Sequence, residues 1–349
     1  MPVESGEVRA YSPGRVNLIG DHTDYNEGLA LPMAIDLGTT VTFVPDDSHR
    51  VVLCSEGEPE PANVSVHMRF DPDLLQAVEP PWARYVAAMV AAVRPRTGGR
   101  GSVSTTLPVD AGLSSSASLE VALALALGSE AEPVTMAETC RRAEQAATGV
   151  ACGLMDQLVV TAAVEDCALL VDFADLSTRQ VRVPEQVEVI VVHSGQRRTL
   201  ERSPYGARRA ECEAASYGMG PLGQLGLDDL VGISDPVLRR RARHVVTECD
   251  RVRRCASALE REDLVEAGGL MTTSHRSLAQ DFEVSTPVLD DLVDRLVSLP
   301  GVFGARLTGA GFGGCIVALA EPGSVDLEAL RSPAWRVRPS GGAHVLHAP

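Results

Sequence analysis

Pro13-Gly-Arg-Val-Asn-Leu-Ile-Gly-Asp-His-Thr-Asp-Tyr-Asn26 sets five polar functional groups, Arg15, Asn17, Asp21, His22 and Asp24, in ten residues around the apolar Val16 and Leu18-Ile19. Each carboxylate accepts two or more hydrogen bonds, so carboxylates and a histidine held close together suit the recognition of several vicinal hydroxyls. A polar turn after an edge strand would explain a sparser cluster. The density and variety of this one favour a binding element.

Three further segments carry chemistry. Leu107-Pro-Val-Asp-Ala-Gly-Leu-Ser-Ser-Ser-Ala-Ser118 runs into an Ala/Leu-rich helix expected over 113–128. A glycine permits close backbone approach, and serines at a helix N-terminus present hydroxyls and unpaired N–H groups where the helix dipole is positive, an anion site. Simple serine capping is the alternative, and three serines in a row exceed what capping needs. Cys152-Gly-Leu-Met-Asp-Gln157 places Asp156 just after a helix that carries Glu144; taken alone, Asp156 reads as a turn or cap residue. Arg306-Leu-Thr-Gly-Ala-Gly-Phe-Gly-Gly-Cys-Ile316 has four glycines in six residues ahead of an apolar strand, either a close-approach loop or a structural connection.

Composition narrows the function. The chain has 349 residues, 45% of them apolar, a length that favours two domains. It contains no lysine, so its basic residues are all arginine. A Walker A loop, a protein-kinase strand lysine and a Schiff-base nucleophile are therefore excluded. Any anionic ligand must be held by arginine, backbone N–H groups or a metal. The formal charge of −16 disfavours nucleic acid and anionic membranes as partners. The Leu119–Leu127 run is too short to span a bilayer, and Met1–Ala10 has two glutamates and no apolar stretch, so a cytoplasmic protein is expected. The eight cysteines are scattered without a Cys-x-x-Cys pair, which points to reduced thiols.

The local pattern predicts an α+β protein. Short β segments are expected at Thr39–Val44, Val51–Cys54 and Val64–Phe70, with strands at Ala168–Phe173, Val187–His193 and Cys315–Leu319. A helix is expected from near Thr135, whose Thr-x-x-Glu pattern with Glu138 is a capping box, to Gly149. Another opens at Ser203-Pro204. Later helices are expected near 237–259, 262–279 and Pro287–Ser298. A boundary between two domains, 1–180 and 181–349, falls near 174–186.

Together and in this order, the four segments resemble the GHMP kinase superfamily and, within it, the galactokinase family. Residues 14–25 are similar to the signature Gly-Arg-x-Asn-Leu-Ile-Gly-(Asp/Glu)-His-x-Asp-Tyr. Residues 107–118 and 306–316 resemble the superfamily's phosphate loop and C-terminal glycine motif, and Cys152–Gln157 resembles the segment with the catalytic aspartate. Weaker likeness runs through Arg198-Thr-Leu, Ser203–Arg209, Ser274–Leu278 and Asp281–Val284. The resemblance implies a ribosomal protein S5 domain 2-like N-terminal domain, a ferredoxin-like C-terminal domain, and a site between them. It implies transfer of the γ-phosphoryl group of ATP to the C1 hydroxyl of galactose by a monomer, with Mg²⁺.

Carried over by position, Asp156 is the base or orienting partner at C1 and Arg15 stabilises the transferring group. Asp21, His22 and Asp24 hold the C6, C4 and C3 hydroxyls, completed by Gly153 and Tyr205. Gly112, Leu113, Ser114, Ser115, Ser116, Ala117 and Ser118 wrap the ATP phosphates, and Ser115 or Ser116 with Glu144 holds the metal. Kinases for arabinose, galacturonate or N-acetylgalactosamine stay open as readings, as does a sugar- and ATP-binding sensor without catalysis. Three departures stand out. Asp21 occupies a position that is often Glu, Asp110 replaces a usual Gly in the phosphate loop, and Ala310 replaces a common Gly, a conservative change unless φ must be positive there.

Overall fold

The structure, a computed structural model, describes residues 6–108, 111–196 and 204–346. Asp110, Arg198-Thr-Leu and Ser203 lie outside the described residues. In chain order the first half holds β1 (Val8–Ile19), β2 (Leu29–Asp46), β3 (Arg50–Ser55), β4 (Ala62–Ser65), α1 (Pro72–Gln76), α2 (Ala83–Val93), β5 (Gly98–Thr105), α3 (Ser115–Ala126), α4 (Pro133–Thr148), α5 (Met155–Ala162), β6 (Cys167–Asp172) and β7 (Ser177–Arg182). There follow β8 (Glu188–His193), α6 (Tyr205–Ala215), α7 (Pro236–Glu260), α8 (Leu264–Gln280), α9 (Pro287–Val297), β9 (Val302–Leu307), β10 (Cys315–Ala320), β11 (Ala334–Val337) and β12 (His344–Leu346).

Two sheets organise these elements. One runs β12-β1-β2-β5-β3-β4, with β6 paired to β2 and β7 to β6; the other runs β11-β8-β10-β9. Among the described residues only β3 and β5 pair in parallel. The sheets divide the chain between Arg182 and Glu188, except that β12 returns to pair with β1. That return, and strand β7 inside the expected boundary region, are features the sequence pattern did not reveal.

The first motif contributes a strand as well as a turn. Pro13–Ile19 lies within β1 and pairs with β2, beyond the Arg9–Tyr11 stretch that pairs with β12, and its register with β2 shifts between Pro13 and Gly14 and between Asn17 and Ile19. Such bulges bend a strand and re-aim its side chains, a common device beside active sites. Ala10, Ala30 and Ala34 face a core closed by α2, α3, α4 and α5. Val16, Leu18, Ile19, Leu31 and Met33 face a second core against α7, α8, β8 and β10. The β1–β2 pair is buried on both faces, so its apolar residues do not alternate cleanly with polar ones.

Helix α4 corrects one expectation. It begins at Pro133, after Glu132 at the N-cap, so Thr135 lies inside the first turn and forms no capping box. Proline at the first helical position needs no N–H partner, which fixes the earlier start. The expected stop holds: Gly149 follows the last turn at φ +72°. Helices α7 and α9 start at Pro236 and Pro287, capped by the side chains of Asp235 and Thr286.

Helix α8 lies against β9 through a glycine contact. A Cβ on Gly268 would stand 2.2 Å from the carbonyl carbon of Phe303, and one on Gly304 would stand 1.9 Å from the Gly268 oxygen. Gly268→Ala must therefore push the helix off the strand, and it is expected to lower stability by about 1–3 kcal/mol. A urea unfolding midpoint equal to that of the parent, at equal m-value, would contradict this packing account.

Candidate active site

A cleft of about 290 Å³ opens where the turn after β1, the N-termini of α3, α5 and α6, and the loop after β9 converge. The volume is at the small end of the range for small-molecule sites. Its centre is an ion pair. Arg15, on β1 and 5% exposed, donates from Nε and Nη2 to the two carboxylate oxygens of Asp156, at 2.9 and 2.7 Å. The same guanidinium donates from Nη1 to the Gly112 carbonyl at 2.8 Å, and the Arg15 N–H reaches the Leu113 carbonyl at 3.1 Å. One arginine thus fixes a bidentate carboxylate and the loop entering α3.

The Ser114 side chain does not cap α3. The residue stands at the N-cap with φ +61° and makes no side-chain cap bond; its hydroxyl donates to Asp156 Oδ2 at 2.5 Å. The helical ladder begins with Ser118 N–H to Ser114 C=O, so the N–H groups of the preceding turn have no acceptor within the helix. Gly112, Ser114, Ser115 and Ser116 line the cleft. Leu113, Ala117 and Ser118 do not present side chains to it. Leu113 and Ala117 are buried in the cores, and the Ser118 hydroxyl donates to the Ser12 carbonyl and accepts from the Thr39 N–H. That hydroxyl ties α3 to the sheet.

The turn after β1 forms the opposite wall. Asp24 lies so close to Gly153 that a Cβ there would come within 1.5 Å of its Oδ2. Burial and the charge of Asp156 push the Asp24 carboxyl up to about 6. His22, at φ +66°, pairs through Nδ1 with the Tyr25 hydroxyl at 2.9 Å, with its ring 4.6 Å from Phe282 and 5.7 Å from Tyr205. Asp21 also lines the cleft, but both of its oxygens are engaged, by Arg306 Nη2 at 2.5 Å and by the Gly309 N–H at 3.0 Å. Ala310 contributes to the same wall and is not in the left-handed region, unlike Gly309 and Gly311 at φ +82° and +76°, so the alanine there is unstrained.

At the far side Glu144 accepts from Gln157 Nε2 at 2.7 Å, while the same amide reaches Glu120 Oε2 at 3.2 Å. Burial pushes both carboxyls up, and the charge of Glu144 adds to the shift at Glu120. Sequence reasoning assigned no role to Gln157, Glu120, Tyr85 or Arg306. Glu120 had a signal, as the one charged residue in the sequence of α3. Tyr85, brought in by α2, had none.

Comparison with known proteins follows the same geography. Residues 3–45 match the galactokinase galactose-binding signature, 84–163 the GHMP kinases N terminal domain, and 255–332 the GHMP kinases C terminal region. Human galactokinase is 40% identical over 329 residues, covering 90% of this chain and 84% of the human protein; bovine galactokinase is equally similar. The chain belongs to the galactokinase family. Lactococcus lactis galactokinase, solved with galactose, superposes with a TM-score of 0.89 at 28% identity, over 97% of this chain and 95% of that one. Mevalonate kinase from Methanococcus jannaschii, TM-score 0.69 at 18% identity, covering 98% of this chain and all of its own, shares the fold. The α+β, two-sheet architecture is that of the GHMP kinases, and the protein is an ATP-using sugar kinase.

Asp24 supplies a test of the local electrostatics. Its raised value comes from burial first and the Asp156 charge second, so Asp156→Asn is expected to move its titration midpoint down toward the ordinary carboxylate range. Carboxyl ¹³C shifts followed from pH 3 to 8 read the midpoint directly. An unmoved midpoint would show that the two carboxylates are not coupled.

Proposed function

We propose that this kinase transfers the γ-phosphoryl group of ATP to the C1 hydroxyl of D-galactose. The observation that carries the reading is the Arg15–Asp156–Ser114 cluster, set between a turn rich in hydroxyl acceptors and the open N-terminus of α3. Asp156 faces C1 as base or orienting partner. As the C1 oxygen bonds to the γ-phosphorus, its proton passes to Asp156 and the bond to the β–γ bridging oxygen breaks, releasing ADP. Arg15 stabilises charge on the moving group. Transfer of this kind asks mainly for positioning and charge neutralisation.

Asp24, His22 and Asp21 are assigned to the C3, C4 and C6 hydroxyls, with Gly153 and Tyr205 closing the pocket. Asp21 keeps a lone pair on each oxygen beyond those used by Arg306 and Gly309, so it can accept a hydroxyl while anchored. The phosphates are assigned to the backbone of Gly112–Ser118 and the hydroxyls of Ser115 and Ser116.

Magnesium fits the donor set. Among the described lining residues Arg15 is the one arginine, against Asp21, Asp24, Asp156 and Glu144, so a bare triphosphate would meet net negative charge from them. The Ser116 hydroxyl bonds to Glu144, and a serine oxygen plus one carboxylate is the hard, sparse set Mg²⁺ takes when phosphates and waters supply the rest. Bound by Ser115 or Ser116 with Glu144, the ion would neutralise charge on the phosphates. We further propose a cytoplasmic monomer whose two domains, 1–180 and 181–349, meet at the cleft.

Coupled ADP release over a panel of sugars tests the substrate. Galactose should be turned over, and glucose, inverted at C4, should lose about 100-fold or more in kcat/KM because pocket polar groups go unpaired. Equal turnover of glucose would remove the assignments to His22, Asp24 and Tyr205. Since Asp21 is already anchored by two donors, loss of the C6 hydroxyl leaves no buried carboxylate unpaired. Accordingly 6-deoxygalactose is expected to lose less than about tenfold, and a loss as large as that of glucose would show that Asp21 depends on the sugar.

Asp156→Asn and Arg15→Ala should each lower kcat by about two orders of magnitude or more while galactose still binds. Near-normal turnover by Asp156→Asn, read in the same assay, would exclude proton transfer to this carboxylate.

A further inference from the structure

The turn that carries Asp21, His22 and Asp24 is held from behind by residues that lie outside the cleft. Gly20 opens the turn at φ +100°, and a Cβ there would sit 2.6 Å from the Ala30 Cα, so only glycine fits. Within the turn, the Thr23 hydroxyl reaches the Gly20 and Leu29 carbonyls at 2.8 Å each, and Asn26 Nδ2 reaches the His22 carbonyl at 2.7 Å. These bonds set the shape of the turn. They do not set where it stands relative to the phosphate loop.

Its position comes from α7, α8 and β9. The Gly20 N–H donates to Glu248 Oε1 at 2.9 Å. His244 Nε2 lies 3.2 Å from the Asp21 carbonyl, which can only accept, so Nε2 carries the proton and Nδ1 accepts from the Ser277 hydroxyl at 2.9 Å. Arg306 holds the Asp21 carboxylate. Glu248 is the hub: it is fully buried, accepts from Ser274 on α8 at 2.5 Å, and accepts from Arg251 Nε at 2.7 Å. Burial pushes its carboxyl up, but the charges of Arg251 and Arg306 and the Ser274 hydroxyl outweigh it and hold the group at about 2. It is therefore a permanent acceptor at neutral pH. A buried carboxylate of this kind costs several kcal/mol of desolvation unless fully bonded, and one of its bonds goes to a main-chain N–H in the signature turn.

We propose that Glu248 is a positioning residue for sugar recognition, acting through the Gly20 N–H to set the depth of the signature turn in the cleft. The proposal rests on the reading of that turn as the sugar wall. Glu248 touches none of the residues assigned to the phosphates, so its loss should act on the sugar alone. Misplaced sugar contacts that weaken ground state and transition state alike raise KM and leave kcat nearly unchanged.

Glu248→Ala removes the acceptor, and the KM for galactose is expected to rise about tenfold or more, with the KM for ATP within about twofold and kcat within about threefold of the parent. Glu248→Gln keeps one oxygen for the Gly20 N–H and is expected to recover most of the loss. A role limited to neutralising Arg251 predicts the opposite, because both variants leave that arginine unpaired. Should Glu248→Ala not fold, the pair Glu248→Leu with Arg251→Met exchanges the ion pair for apolar groups of similar size and still lacks the acceptor.

Amide exchange at Gly20, measured without any sugar, should quicken at least about tenfold in the acceptor-free variant and stay near the parent in Glu248→Gln. An unchanged galactose KM, a parallel rise for ATP, or damage by Gln equal to that by Ala overturns the proposal. If the parent turns over no hexose at all, the substrate reading fails instead, and the exchange rates alone decide whether Glu248 anchors the turn.

Discussion

Arg306 is fully buried, and a guanidinium cannot lose its charge. Whatever surrounds it must supply acceptors. It lies on β9 of one sheet, yet its partners belong to the other: the Asp21 carboxylate and, at 3.4 Å, the Asn17 carbonyl. Thr308 adds a reciprocal pair with the Asn17 backbone at 2.9 and 3.2 Å. The end of β1 and the end of β9 are thereby locked together. The turn that begins at Gly20 and the glycine loop that begins at Gly309 emerge side by side at the cleft. A buried ion pair is not in itself a large source of stability, since desolvation offsets much of the attraction. Its effect here is to make any other arrangement of the two sheets leave a charge unpaired.

Electrostatics on the other side of the cleft follow from the same economy of cations. With lysine absent from the chain, Arg15 is the one arginine lining the cleft among the described residues, and three of its N–H groups are already committed to Asp156 and Gly112. Backbone N–H groups at the start of α3 add positive potential. Ser114 leaves them open because its hydroxyl turns to Asp156. A left-handed residue at that N-cap is a local strain of the sort that persists where surrounding bonds over-determine it. Acceptors crowd the space between: burial raises the carboxyls of Asp24 and Glu120, and the charges of Asp156 and Glu144 raise them further. That density of like charge is the physical ground for the proposed cation.

The local sequence determined much about this protein. The start at Pro287 and the stop at Gly149 were legible because proline and glycine restrict the backbone whatever surrounds them. The polar cluster at 15–24 and the serine run at 114–116 stand out in the sequence by their density, whereas Asp156 by itself reads as a turn or cap residue and is marked only by the family resemblance. The absence of lysine ruled out whole mechanisms before any coordinate was known.

Tertiary structure decided what depends on partners distant in sequence. Ser118 reads like its neighbouring serines, yet it bonds to Ser12 and Thr39 and serves the sheet. Thr135 has the residue pattern of a cap, yet Pro133 starts the helix first. Glu248, His244 and Arg251 occur in an arginine-rich helix, and only the packing of α7 beneath β1 buries them against the signature turn. The chain separation between Glu248 and Gly20 is 228 residues. No periodicity or spacing encodes such a bond, because its existence rests on where two sheets meet.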